Sequence, residues 1–270
     1  MNIINELLFK TNAVRVAPAQ EPFWYTSGKL GPFYINTHFL AKDEQTANEM
    51  LTYIENHNPK EIEAKFENLY NTDSTYKTTI DELIKVIEKY DFDIISGGER
   101  RDFFFSMVPA KLLGKQHLTI YKDKSFVLTD SNFDEAEPTG NKVLHIADLI
   151  TEASSYERAW IPVIREQGLE ITDTVAIVDR KQNGRKVLED LGVNMETLTA
   201  IDKALFDHAK DTGAIDEDQY NLVMKFLENP DTYMQDFLKN NPNFIKDQIA
   251  MGGKAKQRAE LAIEKGYATL

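Results

Sequence analysis

Residues 141–160, NKVLHIADLITEASSYERAW, decide how this chain is read. An apolar run at 143–146 delivers Asp148 to a short polar loop, and a helical pattern opens at Tyr156. A strand that hands a carboxylate to a helix-opening loop suits phosphate, because free backbone N–H groups and the positive end of the helix dipole converge there. Here the loop contains no glycine: Thr151, Glu152, Ala153, Ser154 and Ser155 separate strand from helix. Ser154 or Ser155 equally suits a plain helix cap at Tyr156, and the two roles are compatible.

Working outward, similar short β-rich runs lie at 93–96, 118–121 and 174–178, with helical patterns at 101–114, 155–168 and 184–192. Strands alternating with helices of this length predict an α/β fold, a mostly parallel, right-handed sheet flanked by helices. Ligands of such sheets bind at the carboxyl ends of the strands, so the loops after Ser96, Tyr121, Ile146 and Val178 are expected to face one site. Ahead of the sheet, a short helix at 2–13 precedes aromatic stretches at 23–25 and 33–36 around a Ser-Gly-Lys-Leu-Gly-Pro turn, which predict a β-hairpin. Helical spacing marks 43–57 and 77–90, and from about Asp202 the pattern is helical to the end. The expected division is a sheet domain over 1–200, with a small hood at 1–40 and a helical insert at 43–90, followed by a helical C-terminal appendage over 201–270.

The balance of 31 basic and 44 acidic residues gives a net charge of −13. Nonspecific binding to nucleic acid or to an anionic membrane is therefore not expected, and any anionic ligand needs a local basic cluster. The absence of cysteine excludes disulfides, thiolate metal sites and a cysteine nucleophile. The N-terminus has no apolar signal region and no window approaches a membrane span, so a soluble cytoplasmic protein is expected. The histidines, at 38, 57, 117, 145 and 208, show no metal-ligand spacing, and no dedicated protein metal site is expected.

Four further stretches carry candidate chemistry. GGERRDF (97–103) joins two glycines, which permit positive φ and close backbone approach, to Arg100 and Arg101, whose planar forks suit phosphate. Those arginines could instead pair with Asp102 or Glu99 on the surface. YKDKSF (121–126) places Lys122 and Lys124 at a strand end, ahead of a polar, acidic run to about 141 that reads either as a mobile lid or as a plain connector. Lys29 lies in the turn at 27–32, and VDRKQNGRK (178–186) ends a strand with Asp179 and Arg180; each is read either as a ligand contact or as ordinary turn structure.

In this order, the motifs resemble the type I phosphoribosyltransferases, and within them orotate phosphoribosyltransferase. YTSGKLGPFYIN is similar to that family's hood, GGERRDF stands at its pyrophosphate loop, and YKDKS matches the start of its catalytic loop. VLHIADLITEASS is similar to its signature for phosphoribosyl pyrophosphate (PRPP), and IVDRKQNG to its Asp-Arg-x-x-x-Gly ending. The likeness covers about residues 1–195, less 43–90. It implies transfer of a phosphoribosyl group from PRPP to a pyrimidine base such as orotate, with Mg²⁺ as cofactor, in a homodimer. Carried over by position, Asp148 stands near the ribose and residues 151–155 wrap the 5′-phosphate. Arg100 and Arg101 meet pyrophosphate, Lys122 and Lys124 serve catalysis, and Lys29, Tyr34, Ile35 and Arg180 surround the base.

The chain also departs from the family. Ala147 replaces the first acidic residue of the signature and Ala153 its glycine; Thr26, Tyr121 and Ser125 replace basic residues, and the catalytic loop's His-Gly is absent. These losses motivate the alternative expectation, a catalytically weakened protein of the same fold that binds PRPP or a nucleotide in a regulatory role.

Overall fold

The computed structural model describes residues 2–18 and 20–269. Two compact units form, one from 1–13 with 36–201, the other from 14–35 with 202–270. Strands are numbered along the chain: β1 (Val14–Val16), β2 (Phe23–Trp24), β3 (Leu30–Gly31), β4 (Phe33–Ile35), β5 (Ile94–Gly98), β6 (Gln116–Ile120), β7 (Phe126–Thr129), β8 (Lys142–Ile150), β9 (Glu170–Asp179) and β10 (Asn194–Ala200).

The first unit is built on a six-stranded sheet in the order β10-β9-β8-β5-β6-β7, parallel except for β7, which runs antiparallel to β6. Its central strands are buried along nearly their whole length, as a sheet covered on both faces requires. The helices of this unit are α1 (Ile3–Lys10), α2 (Glu44–Ile54), α3 (Pro59–Thr72), α4 (Ser74–Ile87), α5 (Phe103–Leu112), α6 (Ile161–Glu166) and α7 (Gly184–Asp190). From β5 the chain passes through α5 to β6 in one direction along the sheet; from β8 it passes through α6 to β9 in the other. Right-handed crossovers in opposite directions put α5 and α6 on opposite faces. The strand order therefore reverses between β5 and β8, and in such sheets the crevice at the carboxyl ends of the two diverging strands is where ligands bind.

Local chemistry explains the insert. Helix α3 starts with Pro59 at its first turn and a reciprocal capping box between Asn58 and Glu61, and the Asp73 carboxylate caps α4 at the Tyr76 N–H. Tyr76, fully buried, donates its hydroxyl to the Phe104 carbonyl, and Phe66 packs on Phe104 at 4.8 Å between ring centroids. The helix at 59–72 and strands β7 and β10 carry no pattern that was read from the sequence; β10 (NMETLTA) has one fully buried side chain, so its alternation is weak.

The second unit corrects two expectations. The expected hairpin between 23–25 and 33–36 is absent: β2 pairs with β3, inside the supposed turn, while β4 pairs with β1 through Val14↔Ile35 and Val16↔Phe33. The expected hood at 1–40 also divides, because residues 14–35 form one unit with the C-terminal helices, α8 (Lys203–Asp211), α9 (Glu217–Glu228), α10 (Pro230–Asn240), α11 (Phe244–Met251) and α12 (Gly253–Glu264). Leu30 is buried among Met234, Phe237, Ile245, Ala259 and Ala262. Around it, Arg258 donates to the Thr26 carbonyl at 2.8 Å, Lys265 to the Ser27 carbonyl at 3.2 Å and the Trp24 indole to Gln248 at 2.8 Å. Among the described residues, no helix is long and apolar enough to cross a membrane.

Candidate functional site

A cavity of about 290 Å³ opens at the carboxyl ends of β5 and β8, where the strand order reverses. Its wall brings together Arg100, Arg101, Lys122, Asp148, Thr151, Glu152, Ala153, Ser154 and Ser155 from the residues singled out in the sequence. Gly98, Glu99, Asp102, Ala147, Leu149, Ile150, Tyr156 and Trp160 complete it.

The loop after β8 is shaped by backbone bonds from its neighbour. Arg180 N–H donates to the Ile150 carbonyl at 2.9 Å and Gly184 N–H to the Thr151 carbonyl at 3.0 Å. A side chain at 184 would put its Cβ 2.6 Å from that carbonyl oxygen, so this close approach requires glycine. Ala153 takes φ 54°, a left-handed conformation that costs an L-residue about 1–2 kcal/mol. Its methyl is 6% exposed and packs into the core with Tyr156 and Trp160, which offsets part of that cost. The helix then begins with a π turn, Tyr156–Trp160, before α6. Ser155 makes no side-chain capping bond, contrary to the plain-cap expectation, and Ser154 instead accepts at its carbonyl from Arg158 Nε at 3.1 Å. Among the described residues, the N–H groups of Glu152, Ala153, Ser154 and Ser155 donate to no protein acceptor. Left-handed backbone followed by a helix start gathers such donors into a concave nest for an anion.

The loop after β5 differs from its reading in two respects. Gly97 and Gly98 do not have positive φ; they are required because Ser106 and the Trp160 ring lie within 2.8 Å of where their Cβ atoms would stand. Arg100 pairs neither with Asp102 nor with Glu99 but with Glu55, just past the end of α2. Arg101 stays exposed; burial, and then the Arg101 charge, push the His38 pKa down to about 3.

Asp148 is 8% exposed, and its Oδ2 has no hydrogen-bond partner. Burial, then the neighbouring Asp102, pushes its carboxyl up to about 8, against the pull of Arg101. Asp102 was read from the sequence only as an arginine partner. It is 7% exposed and accepts from Asp148 N–H at 2.9 Å and Gly98 N–H at 3.1 Å. Beneath it, His145 Nε2 lies 3.5 Å from Asp102 Oδ2, and His145 Nδ1 bonds Ser96 Oγ at 2.8 Å. Thr174 donates to the His145 carbonyl at 2.8 Å, so the Tyr156 hydroxyl, 2.7 Å away, donates to Thr174.

The lysine segment departs most from its reading. Tyr121 N–H donates to the Ser125 carbonyl and Lys124 N–H to the Tyr121 carbonyl, so YKDKS is a tight turn between β6 and β7, with Lys124 at φ 71°. Lys122 reaches the cavity wall; Lys124 stands exposed on the turn outside it. The run to 141 is not an unstructured lid, because β7 pairs along β6, Thr129 bridges Glu135, and Gln116 binds the Glu137 carbonyl and the Thr139 N–H.

The residues assigned to a base divide between the units. Arg180 follows β9 in the first, where Asp179 is engaged by the Lys181 N–H at 2.7 Å and by the Lys181 and Arg185 side chains instead of by Arg180. Lys29, Tyr34 and Ile35 belong to the second unit, where Lys29 is paired with Asp231 at 2.6 Å. There Tyr34 packs on Phe23, and Ile35 is buried.

Among the described residues, no cluster of three or more His, Cys, Asp or Glu side chains could hold a metal ion by itself. Asp148 Oδ2, buried and unpartnered, is one hard oxygen donor, which suits Mg²⁺ arriving with a phosphorylated ligand that supplies most of its coordination.

No family model matches the sequence. The chain is 23% identical over 205 residues to an orotate phosphoribosyltransferase of Sulfurisphaera tokodaii, covering 76% of this chain and 89% of that one. It is 30% identical over 139 residues to an adenine phosphoribosyltransferase of Agrobacterium fabrum, covering 46% of this chain and 76% of the relative. In structure it is similar to the UMP synthase of Leishmania donovani, with a TM-score of 0.61 and 20% identity over 84% of this chain and 42% of that one.

Proposed function

This chain belongs to the type I phosphoribosyltransferases, as a divergent member similar to orotate phosphoribosyltransferases, and from that premise we propose that it transfers a phosphoribosyl group from PRPP to a carboxylated pyrimidine such as orotate. The observation that carries the reading is the nest after β8, where Ala153 at φ 54° keeps the turn in the conformation that gathers the following N–H groups. In the reaction the bond from ribose C1 to pyrophosphate breaks, pyrophosphate leaves with the electron pair, and C1 joins a ring nitrogen of the base.

Each group of the chain has a part in this scheme. Residues 151–155 hold the 5′-phosphate through backbone donors, and Asp148 accepts from the ribose hydroxyls. Arg101 and Lys122 neutralise the departing pyrophosphate, and Arg100 joins them on leaving Glu55. Charge placed in advance where it develops commonly contributes about 3 kcal/mol per group. Asp148 would hold Mg²⁺, which would supply further charge neutralisation of the pyrophosphate. Arg180 orients the carboxylated ring. The same reading makes the protein a cytoplasmic homodimer in pyrimidine nucleotide synthesis.

Release of pyrophosphate from PRPP and Mg²⁺ with a panel of bases tests the reading. Turnover with orotate that disappears in Arg180→Ala is expected; absence of both turnover and PRPP-dependent thermal stabilisation would overturn it. The tight turn at 121–125 favours a second reading, a regulatory protein that binds PRPP or a nucleotide. It predicts stabilisation without turnover.

A further inference from the structure

Between β5 and β8 the parallel ladder ends at Ser96↔His145, and beyond that pair the two strands diverge. The next amides facing the gap are Gly98 on one strand and Asp148 on the other, and neither has a ladder partner across it. Both donate to a single side chain, Asp102, one to each carboxylate oxygen. Asp102 opens α5 without capping its first turn, so its carboxylate is spent on the gap and not on its own helix. No neutral side chain of this size can do the same: an asparagine has only one oxygen, and its amide would turn an N–H toward one of the two donors. The arrangement is also costly to bury. It sets two carboxyl groups side by side at one cavity and leaves both Asp148 Oδ2 and His145 Nε2 buried without partners. An unpaired buried carboxylate oxygen on a cavity wall, here Asp148 Oδ2, is expected where a ligand completes the network.

We propose that Asp102 is a positioning residue for ribose: by clamping the Gly98 and Asp148 amides, it presents Asp148 Oδ2 to the vicinal hydroxyls of a phosphorylated ribose. This rests on the reading of the cavity as a phosphoribosyl site, but it assigns to Asp102 a part that the 5′-phosphate nest does not share. The nest is fixed by Gly184 and Arg180 from the β9 side, so loss of Asp102 leaves it in place. Removal of the clamp therefore discriminates between ligands. A purely structural role for Asp102 would lower stability and weaken all ligands alike.

The test is titration calorimetry of the full chain and Asp102→Asn with ribose 5-phosphate and with inorganic phosphate. We expect a tenfold or greater loss of affinity for ribose 5-phosphate and less than a twofold change for inorganic phosphate. Equal losses for both ligands, or none for either, would overturn the assignment of Asp102. If the wild type binds neither ligand, the phosphoribosyl reading itself fails, and the clamp loses its ligand with it. Should Asp102→Asn not fold, amide NMR of the wild type gives the same discrimination. Ribose 5-phosphate should shift the Gly98 and Asp148 resonances and inorganic phosphate only those of 152–155; unmoved Gly98 and Asp148 amides would overturn the clamp.

Discussion

Two loops of the first unit match family motifs imperfectly, and they diverged in different ways. The loop at 151–155 has no glycine yet holds a left-handed turn, because Ile150 and Thr151 are held by backbone bonds from Arg180 and Gly184 and because the Ala153 methyl has a place in the core. The segment at 121–125 carries two lysines but closes β6 onto β7 within a tight turn. Conformation can survive loss of the residue that eases it when neighbours over-determine the backbone. Reach has no such substitute, since a side chain on a short turn cannot be carried across a cavity by contacts elsewhere.

The contrast breaks most sharply at Ala153. Ala153→Val puts a β-branched residue at φ 54° against packed neighbours, which should abolish phosphate- and PRPP-dependent stabilisation in a thermal melt and destabilise the apo-protein by about 2–4 kcal/mol. Ser125→Gly, on the exposed turn, should change ligand-dependent stabilisation by less than a degree. A tolerated valine would show that the loop is not over-determined.

A mid-sized effect concerns pH. Asp148 has its folded pKa raised from the ordinary 3.8 to about 8, so the folded state holds its proton more tightly than the unfolded chain. Its contribution to stability is fully present below about pH 4 and is lost as pH rises to about 8. Denaturant titrations of wild type and Asp148→Asn at pH 5 and pH 8 should show the variant losing less stability across that interval, by on the order of 2 kcal/mol. Parallel slopes would remove the buried carboxyl as their source.

Smallest is the contrast between the lysines. Lys122→Ala should weaken PRPP binding several-fold, by about 1 kcal/mol, whereas Lys124→Ala should leave it within twofold in the same calorimetric assay. Equal losses would mean that the turn opens when ligand binds.

The sequence was informative where physics is local. Buried strands β5, β6, β8 and β9 announce themselves as short β-rich runs, and the loop after β8 follows from the change of period at Asp148. Strand β10 and helix α3 were missed because half-buried or strongly charged elements blur that period. Asp102 was missed for a different reason: its partners are the Gly98 and Asp148 amides on two strands, and the second becomes a neighbour only once β5 and β8 lie side by side. The pairing of residues 14–35 with the C-terminal helices was likewise invisible, since it joins segments more than 160 residues apart along the chain.

That second unit, assembled from two distant stretches of chain, bears on how the protein can be cut or inherited. A truncation after residue 201 would look conservative on the page, yet it would strip Leu30 and Trp24 of the helices that cover them and turn an interior into a sticky surface. The early strands and the late helices thus form one heritable module threaded through another, and a recombination event that exchanged either alone would deliver an orphan to its host.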